Sequence, residues 1–235
     1  MNLYLKALWS IILIFICNLQ GFSQTGYTMN LPNYDEKKMH YGFIIATNYT
    51  RFIAKQSSEF LERNDTIKTI TPEGSGGFTL GFILNARLYD FLDFRVTPSV
   101  GFYQRGLNYE FEDKGKRFSD VQTIESTFIE LPVLLKYKSE RRRNFRMYFI
   151  GGLKPAISTS SKNKDQRPDK LRTNSFDLSL DYGFGCDIYY PLFKFAPEIR
   201  FSHGLLNMAV ADPHIYSRSL KSLTTHTITL FLNFE

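Results

Sequence analysis

After residue 40 the chain alternates apolar and polar side chains with a period of two, in eight successive segments. Such alternation puts successive side chains on opposite faces of a β-strand, and no stretch of useful length carries a helical period. The clearest segment is Asn174–Tyr190. Phe176, Leu178, Leu180, Tyr182, Phe184, Cys186, Ile188 and Tyr190 form one face, and Asp177, Ser179, Asp181, Gly183, Gly185 and Asp187 form the other. Gly77–Leu88 is as regular, with Phe78, Leu80, Phe82, Leu84, Ala86 and Leu88 opposed to Gly77, Thr79, Gly81, Asn85 and Arg87. The remaining segments are His40–Ala54, Phe94–Glu112, Thr123–Tyr137, Phe145–Ser158, Phe193–His203 and Ser222–Phe234. Their polar faces include Asn48, Thr50, Lys136, Lys154 and Lys194.

The connections alternate in length. Those at 89–93, 138–144 and 190–193 are short, whereas those at 55–76, 113–122, 159–173 and 204–221 are longer and polar. Short turns at one end and long loops at the other form the pattern of an outer-membrane barrel. The predicted fold is therefore all-β, an eight-stranded antiparallel transmembrane β-barrel over residues 40–235. An even strand number puts both termini on the short-turn side, the periplasm.

Alternation alone leaves the outward face open, because a soluble barrel would turn its apolar face inward. Volume decides. An eight-stranded lumen is just wide enough to be filled by side chains, and the apolar face holds more Phe, Leu, Ile and Tyr than it could pack. The polar face mixes glycine with single charges, which suits a narrow, filled lumen. Tyr41, Tyr137, Tyr182, Tyr189 and Tyr190 are candidates for aromatic girdles at the membrane surfaces. A final strand closing on Phe234 resembles the signal by which such barrels are recognised for assembly.

The first 23 residues read as a signal peptide. Lys6 supplies the positive charge, Ala7–Cys17 the apolar run, and Gly21-Phe22-Ser23 the small residues before cleavage at Gln24. The run is short for a membrane span, which needs about 20 residues. Residues 24–39 then form a polar segment expected in the periplasm. Once Cys17 is removed with the signal peptide, Cys186 is the one cysteine left, so no disulfide within the chain is expected.

Composition narrows the function classes. The 235 residues include 22 Phe and 14 Tyr, and 29 Lys plus Arg against 23 Asp plus Glu give a net charge of +6. That excess is spread along the chain and does not point to nucleic acid. The mean hydropathy of −0.24 excludes a multi-helix membrane protein but not a barrel, whose alternation averages out.

The lumen-facing charges carry both signs: Arg87, Arg95, Arg105, Arg146 and Arg200 against Glu130, Asp177, Asp181, Asp187 and Glu198. Buried charges must pair, so a salt-bridge network filling the barrel is expected, with no open conduction path. Support for catalysis is thin. His203 follows Ser202, His226 lies between Thr225 and Thr227, and His214 is near Asp212, but there is no GxSxG motif and no metal-ligand spacing. No cofactor, metal or small-molecule substrate is expected, and the expected partners are membrane lipid and other proteins. Arg141-Arg142-Arg143, in a short turn, is a candidate for docking a periplasmic partner or for contacting lipid head groups.

Three stretches carry a family resemblance: Leu31-Pro32-Asn33-Tyr34-Asp35-Glu36-Lys37-Lys38 leading into His40-Tyr41-Gly42-Phe43, then Pro98–Tyr103, then Phe128–Tyr137. Together they resemble the PorT (SprT) proteins, within the outer-membrane β-barrel superfamily of Bacteroidota. The resemblance implies a part in type IX protein secretion, and in gliding motility where that occurs, with no catalytic residues. The alternatives are a lipid-modifying barrel enzyme and a purely structural barrel. In the secretion reading, Leu31, Pro32, Asn33, Tyr34 and Asp35 join Arg141, Arg142 and Arg143 as candidate periplasmic docking residues.

Overall fold

The computed structural model describes residues 29–56, 67–113, 116–159, 174–209 and 220–235. The predicted signal peptide, His214 and Asp212 lie outside them. A single 3-10 turn, Tyr34–Glu36, precedes ten strand segments. These are β1 (Met39–Gln56), β2 (Ile67–Tyr89), β3 (Leu92–Val96), β4 (Ser99–Asp113), β5 (Lys116–Glu130), β6 (Val133–Lys138), β7 (Phe145–Ser158), β8 (Phe176–Tyr189), β9 (Lys194–Gly204) and β10 (Leu220–Phe234).

The ten segments make eight strands. Leu84 opposes Val96 and Gly81 opposes Ser99, so β3 and β4 share one register against β2. Glu130 opposes Ala156 and Val133 opposes Leu153, so β5 and β6 share one register against β7. The interruptions fall at Thr97-Pro98 and Leu131-Pro132, where proline has no N–H to give the ladder. The backbone bonds Phe82 N–H to Pro98 C=O and Leu131 N–H to Pro155 C=O bridge the gaps. All pairings are antiparallel between chain neighbours, and β1 pairs with both β2 and β10, which closes the ring.

The predicted parity holds. Phe82, Tyr41 and Phe149 on the outside are 67%, 66% and 66% exposed, whereas Lys136, Asp187 and Arg95 on the inside are fully enclosed, at 0%. Apolar side chains outside and charges inside is the reverse of a water-soluble barrel, and a belt of this size needs lipid around it. Tyr189 departs from the girdle assignment: it is 1% exposed and faces the lumen. Period-two geometry sends only one of Tyr189 and Tyr190 outward, and Tyr190 is that one. Tyr41, Tyr137, Tyr182 and Tyr190 are exposed as expected.

Two of the expected loops are largely strand. β2 begins at Ile67, ten residues before Gly77, with a register shift between Gly74 and Phe78. β4 and β5 pair without a break from Ser99↔Glu130 to Asp113↔Lys116. Beyond the lipid both faces of a strand meet water, so the alternation fades while the hydrogen-bond ladder continues. The barrel thus has a short-turn end, which also holds Met29–Lys38 and Glu235, and a long-loop end.

Candidate functional site

The lumen is densest in charge at the short-turn end. Lys136 on β6 donates to both carboxylate oxygens of Asp187 on β8, at 2.7 and 3.0 Å. Arg146 on β7 reaches the same carboxylate at 3.3 Å and Lys194 on β9 at 3.9 Å. Lys194 also meets Glu235 at 2.8 Å, and Arg95 on β3 meets Glu235 at 2.7 Å and Glu198 on β9 at 3.7 Å. Lys138 pairs with Asp93 at 2.5 Å, and Asn85 donates to Asp93 at 2.9 Å. Charges from five strand segments and the C-terminal residue are joined, with Asn85 linking Arg95 to Asp93. Each neutralises the desolvation cost of the next, the condition for keeping ions in such a place.

Tyr148 stands at the centre of this layer. Its hydroxyl donates to Glu198 Oε2 at 2.9 Å, and Lys136 Nζ lies 3.7 Å from its ring centroid. The ring fits because β8 carries glycine opposite it. A Cβ on Gly185 would come within 2.6 Å of the Tyr148 ring. A Cβ on Gly101 would likewise come within 2.5 Å of Tyr103. Gly101 and Gly185 are therefore sockets for lumen aromatics.

Residues 30–37 lie across this end as a strap. Asn30 N–H donates to Asn144 Oδ1 at 2.8 Å, and its amide donates to the Tyr189 carbonyl at 2.9 Å. Tyr34 stacks on His40 with ring centroids 4.1 Å apart and donates to Glu235 Oε2 at 3.2 Å. Burial and the Glu235 carboxylate both push the Tyr34 hydroxyl pKa above its ordinary value. Asp35 binds Arg146 at 3.0 Å and Arg141 at 3.5 Å. Burial opposes ionisation of Asp35, but the Arg146 guanidinium outweighs it and holds the carboxyl below the usual carboxylate range. Arg141 also donates to the carbonyls of Asn30 and Leu31 and covers the Tyr189 ring at 3.6 Å.

These contacts bring two candidate docking elements together. Leu31, Tyr34 and Asp35 are partly buried in the strap, whereas Pro32 and Asn33 are exposed. Arg141 is taken up by the strap, Arg142 is exposed, and Arg143 turns the chain with a φ of +60°.

The residues expected in the lumen network take different places in the structure. Arg95, Glu130, Asp181, Asp187, Glu198 and Arg200 are all enclosed and ion-paired. Midway along the lumen, Arg200 meets Glu198 at 2.5 Å and Asp181 at 3.7 Å, and Lys154 meets Glu130 at 3.3 Å. Arg87 is a correction: it sits on the rim, partly exposed, bound to Asp90 and to the Asp35 carbonyl. The strand ends there, so its side chain turns out to the strap. Arg105 and Asp177 are enclosed but make no ion pair among the described residues. Arg105 donates to Thr50 at 3.0 Å and lies 4.9 Å from the Tyr103 ring, and Asp177 accepts from Thr225 at 2.9 Å. Sequence reasoning left Asp93, Lys136, Lys138, Lys154, Lys194 and Glu235 out of the network. Parity was the available signal: Asp93 continues the Arg95 face, and Glu235 the Asn233 face.

The long-loop end is filled differently, by Phe52, Tyr103, Leu107, Tyr109, Phe128, Ala156, Met208 and Leu223. The histidine pairings considered for catalysis are split by the sheet. Ser202, Thr225 and Thr227 point inward and are buried, whereas His203 and His226 face outward. Among the described residues no three His, Cys, Asp or Glu side chains gather as a metal site.

Comparison with known proteins follows the same line. The outer membrane protein beta-barrel domain family matches residues 22–210. No curated protein matches the chain. Among solved structures, OprG of Pseudomonas aeruginosa is 12% identical, with 82% of this chain and 93% of that one covered and a TM-score of 0.46. Neisserial surface protein A is 9% identical, covering 84% and 98%, with a TM-score of 0.41. Ail of Yersinia pestis, in complex with the heparin analogue sucrose octasulfate, is 14% identical, covering 84% and 99%, with a TM-score of 0.38. With a closed ring of eight strands, apolar outside and ionic within, and a family match over most of its length, the chain belongs to the outer membrane protein beta-barrel domain family and is placed in the outer membrane.

Proposed function

We propose that this chain is a non-enzymatic outer-membrane component of a type IX protein secretion system, with both termini in the periplasm. The observation that carries the reading is the Leu31–Lys38 segment. In sequence it is the part most specific to the PorT resemblance, and in the fold it is tied across the short-turn end by Asp35, Tyr34 and the Leu31 carbonyl. Short turns face the periplasm in bacterial barrels of this kind, which orients that end. The lumen supports a role at the surface rather than through the barrel, since charged and aromatic side chains fill it among the described residues.

The strap keeps its buried side toward the barrel and leaves Pro32, Asn33, Glu36, Lys37 and Lys38 exposed. With Arg142 of the adjacent turn they make one mixed-charge surface suited to a periplasmic protein partner. The test is deletion of the gene followed by assay of secreted cargo in the medium, with complementation by the wild type and by a strap variant, Pro32→Ala with Asn33→Ala and Lys37→Glu. Loss of cargo on deletion, with failed rescue by a variant that still gives a heat-modifiable barrel, supports the reading. Normal secretion after deletion removes it.

A further inference from the structure

On the outer surface of β9, β10 and β1, the apolar belt is crossed by one row of polar side chains, while on β8 the exposed Leu180 stands opposite His203. Moving from the short turns toward the long loops, β10 presents Leu230 and Ile228 to the outside and then His226. β9 presents Ile199 and Phe201 and then His203, and β1 presents Ile45, Thr47 and Tyr49 and then Arg51. The register aligns these positions: Arg51 is directly opposite His226, and His226 is directly opposite His203. Tyr182 on β8 completes the row, stacked on His203 with 5.3 Å between ring centroids and its hydroxyl 2.6 Å from His203 Nε2. His203 Nδ1 is 2.5 Å from His226 Nε2, and the two imidazoles meet edge to face at 3.9 Å.

The row is a continuous hydrogen-bond chain, and its proton count has a consequence. With both imidazoles neutral, the chain runs in one of two directions. In one, Tyr182 O–H donates to His203, His203 donates to His226, and His226 Nδ1–H is left to point away. In the other, His226 donates to His203, His203 donates to the Tyr182 oxygen, and Tyr182 O–H is left over. Either way one donor is left over, and where it is His226 Nδ1–H the exposed Arg51 guanidinium stands beside it. No carboxylate faces the row from β8, β9, β10 or β1 among the described residues. A guanidinium and an oriented donor, with no acid on their own four strands among the described residues, form a complement to a phosphate that is carried on acyl chains.

We infer that Arg51, Tyr182, His203 and His226 form a docking site for the phosphate of an anionic membrane lipid, whose acyl chains lie along Phe201, Ile228 and Tyr49. The lumen residues take no part, since the site is wholly on the outer face. The source of the phosphate is fixed by the surroundings: an ion from solution would gain nothing from the apolar side chains beneath the row.

The experiment uses the full mature chain in detergent, with phosphatidic acid as the titrant and native mass spectrometry as the readout. Wild type is expected to bind one phosphatidic acid at least about fivefold more tightly than Arg51→Gln, and than the double variant His203→Asn/His226→Asn. Diacylglycerol, which lacks the phosphate, is expected to bind equally weakly to all three, and inorganic phosphate not to compete. Heat-modifiability on a gel checks that each variant is folded; Arg51→Lys, which keeps the charge, is expected to retain most of the binding. Equal affinity of wild type and both variants overturns the proposal. So does equal binding of diacylglycerol, which would make the contact acyl-only, or competition by inorganic phosphate, which would make it a site for a soluble anion.

Discussion

At the short-turn end the lumen is filled by charge, and at the long-loop end by carbon. Asp187 gathers Lys136, Arg146 and Lys194 there, and Glu235 gathers Arg95 and Lys194. At the other end Phe52, Leu107, Phe128 and Leu223 pack with Tyr103 and Tyr109, and Arg105 among them lies against three aromatic rings. Both solutions keep water out of a narrow tube, but they differ in specificity. An apolar cluster tolerates small shifts, because dispersion and burial fall off gradually. An enclosed ion network does not, because a displaced partner leaves its counterpart charged and unpaired. The end with exacting geometry is the end that holds the strap and Glu235.

The comparison is broken most severely at Asp187. Asp187→Ala leaves three cations facing one another and should destabilise the barrel by about 3–5 kcal/mol. The check is the urea midpoint at which the folded, fast-migrating gel band disappears. At the other end, Leu107→Ala removes a fully enclosed side chain and should cost about 2–3 kcal/mol, toward the low side for such truncations because the cluster can settle inward. Equal midpoints for the two variants would erase the distinction between the ends.

The smallest effects sharpen the role of the strap. Asp35 is partly exposed, so Asp35→Asn should shift the global midpoint by about 1 kcal/mol or less. Its local effect should be clear: tryptic cleavage at Lys37 or Lys38 should be faster than in wild type. The pH dependence follows from the sign of the Asp35 shift. Its folded pKa lies below the usual 3.8, so its contribution is present above that value and lost as pH falls through the lower, folded one. Strap protection, read by hydrogen exchange, should therefore hold from neutral pH down to about pH 4 and decline below it. In Asp35→Asn this acid-dependent step should be missing.

Much of the molecule was legible because a barrel wall is a local code. The alternation at Asn174–Tyr190 puts Asp177, Asp181 and Asp187 inside and Leu180, Tyr182 and Phe184 outside, and the folded strand has each of them there. The same rule failed where lipid stops enforcing it. Residues 67–76 and 113–122 looked like loops because both faces are polar above the membrane, yet most of them are strand. Arg87 was placed in the lumen by parity, and the rim position overrode it.

Period-two patterning, with lipid on one side and a tube just wide enough for side chains to fill on the other, determined by itself the strand number, the outward face and part of the set of enclosed charges. Each of those depends on a residue and its near neighbours in the chain. Which charge meets which was decided only by the tertiary structure. Lys136 and Asp187 are 51 positions apart, Arg95 and Glu235 are 140 apart, and Asp35 and Arg146 are 111 apart. Those partners are chosen by ring closure, strand stagger and the depth each side chain reaches across the lumen. The row of Arg51, His226, His203 and Tyr182 has the same origin, since only the closing of β1 on β10 brings the first strand against the last.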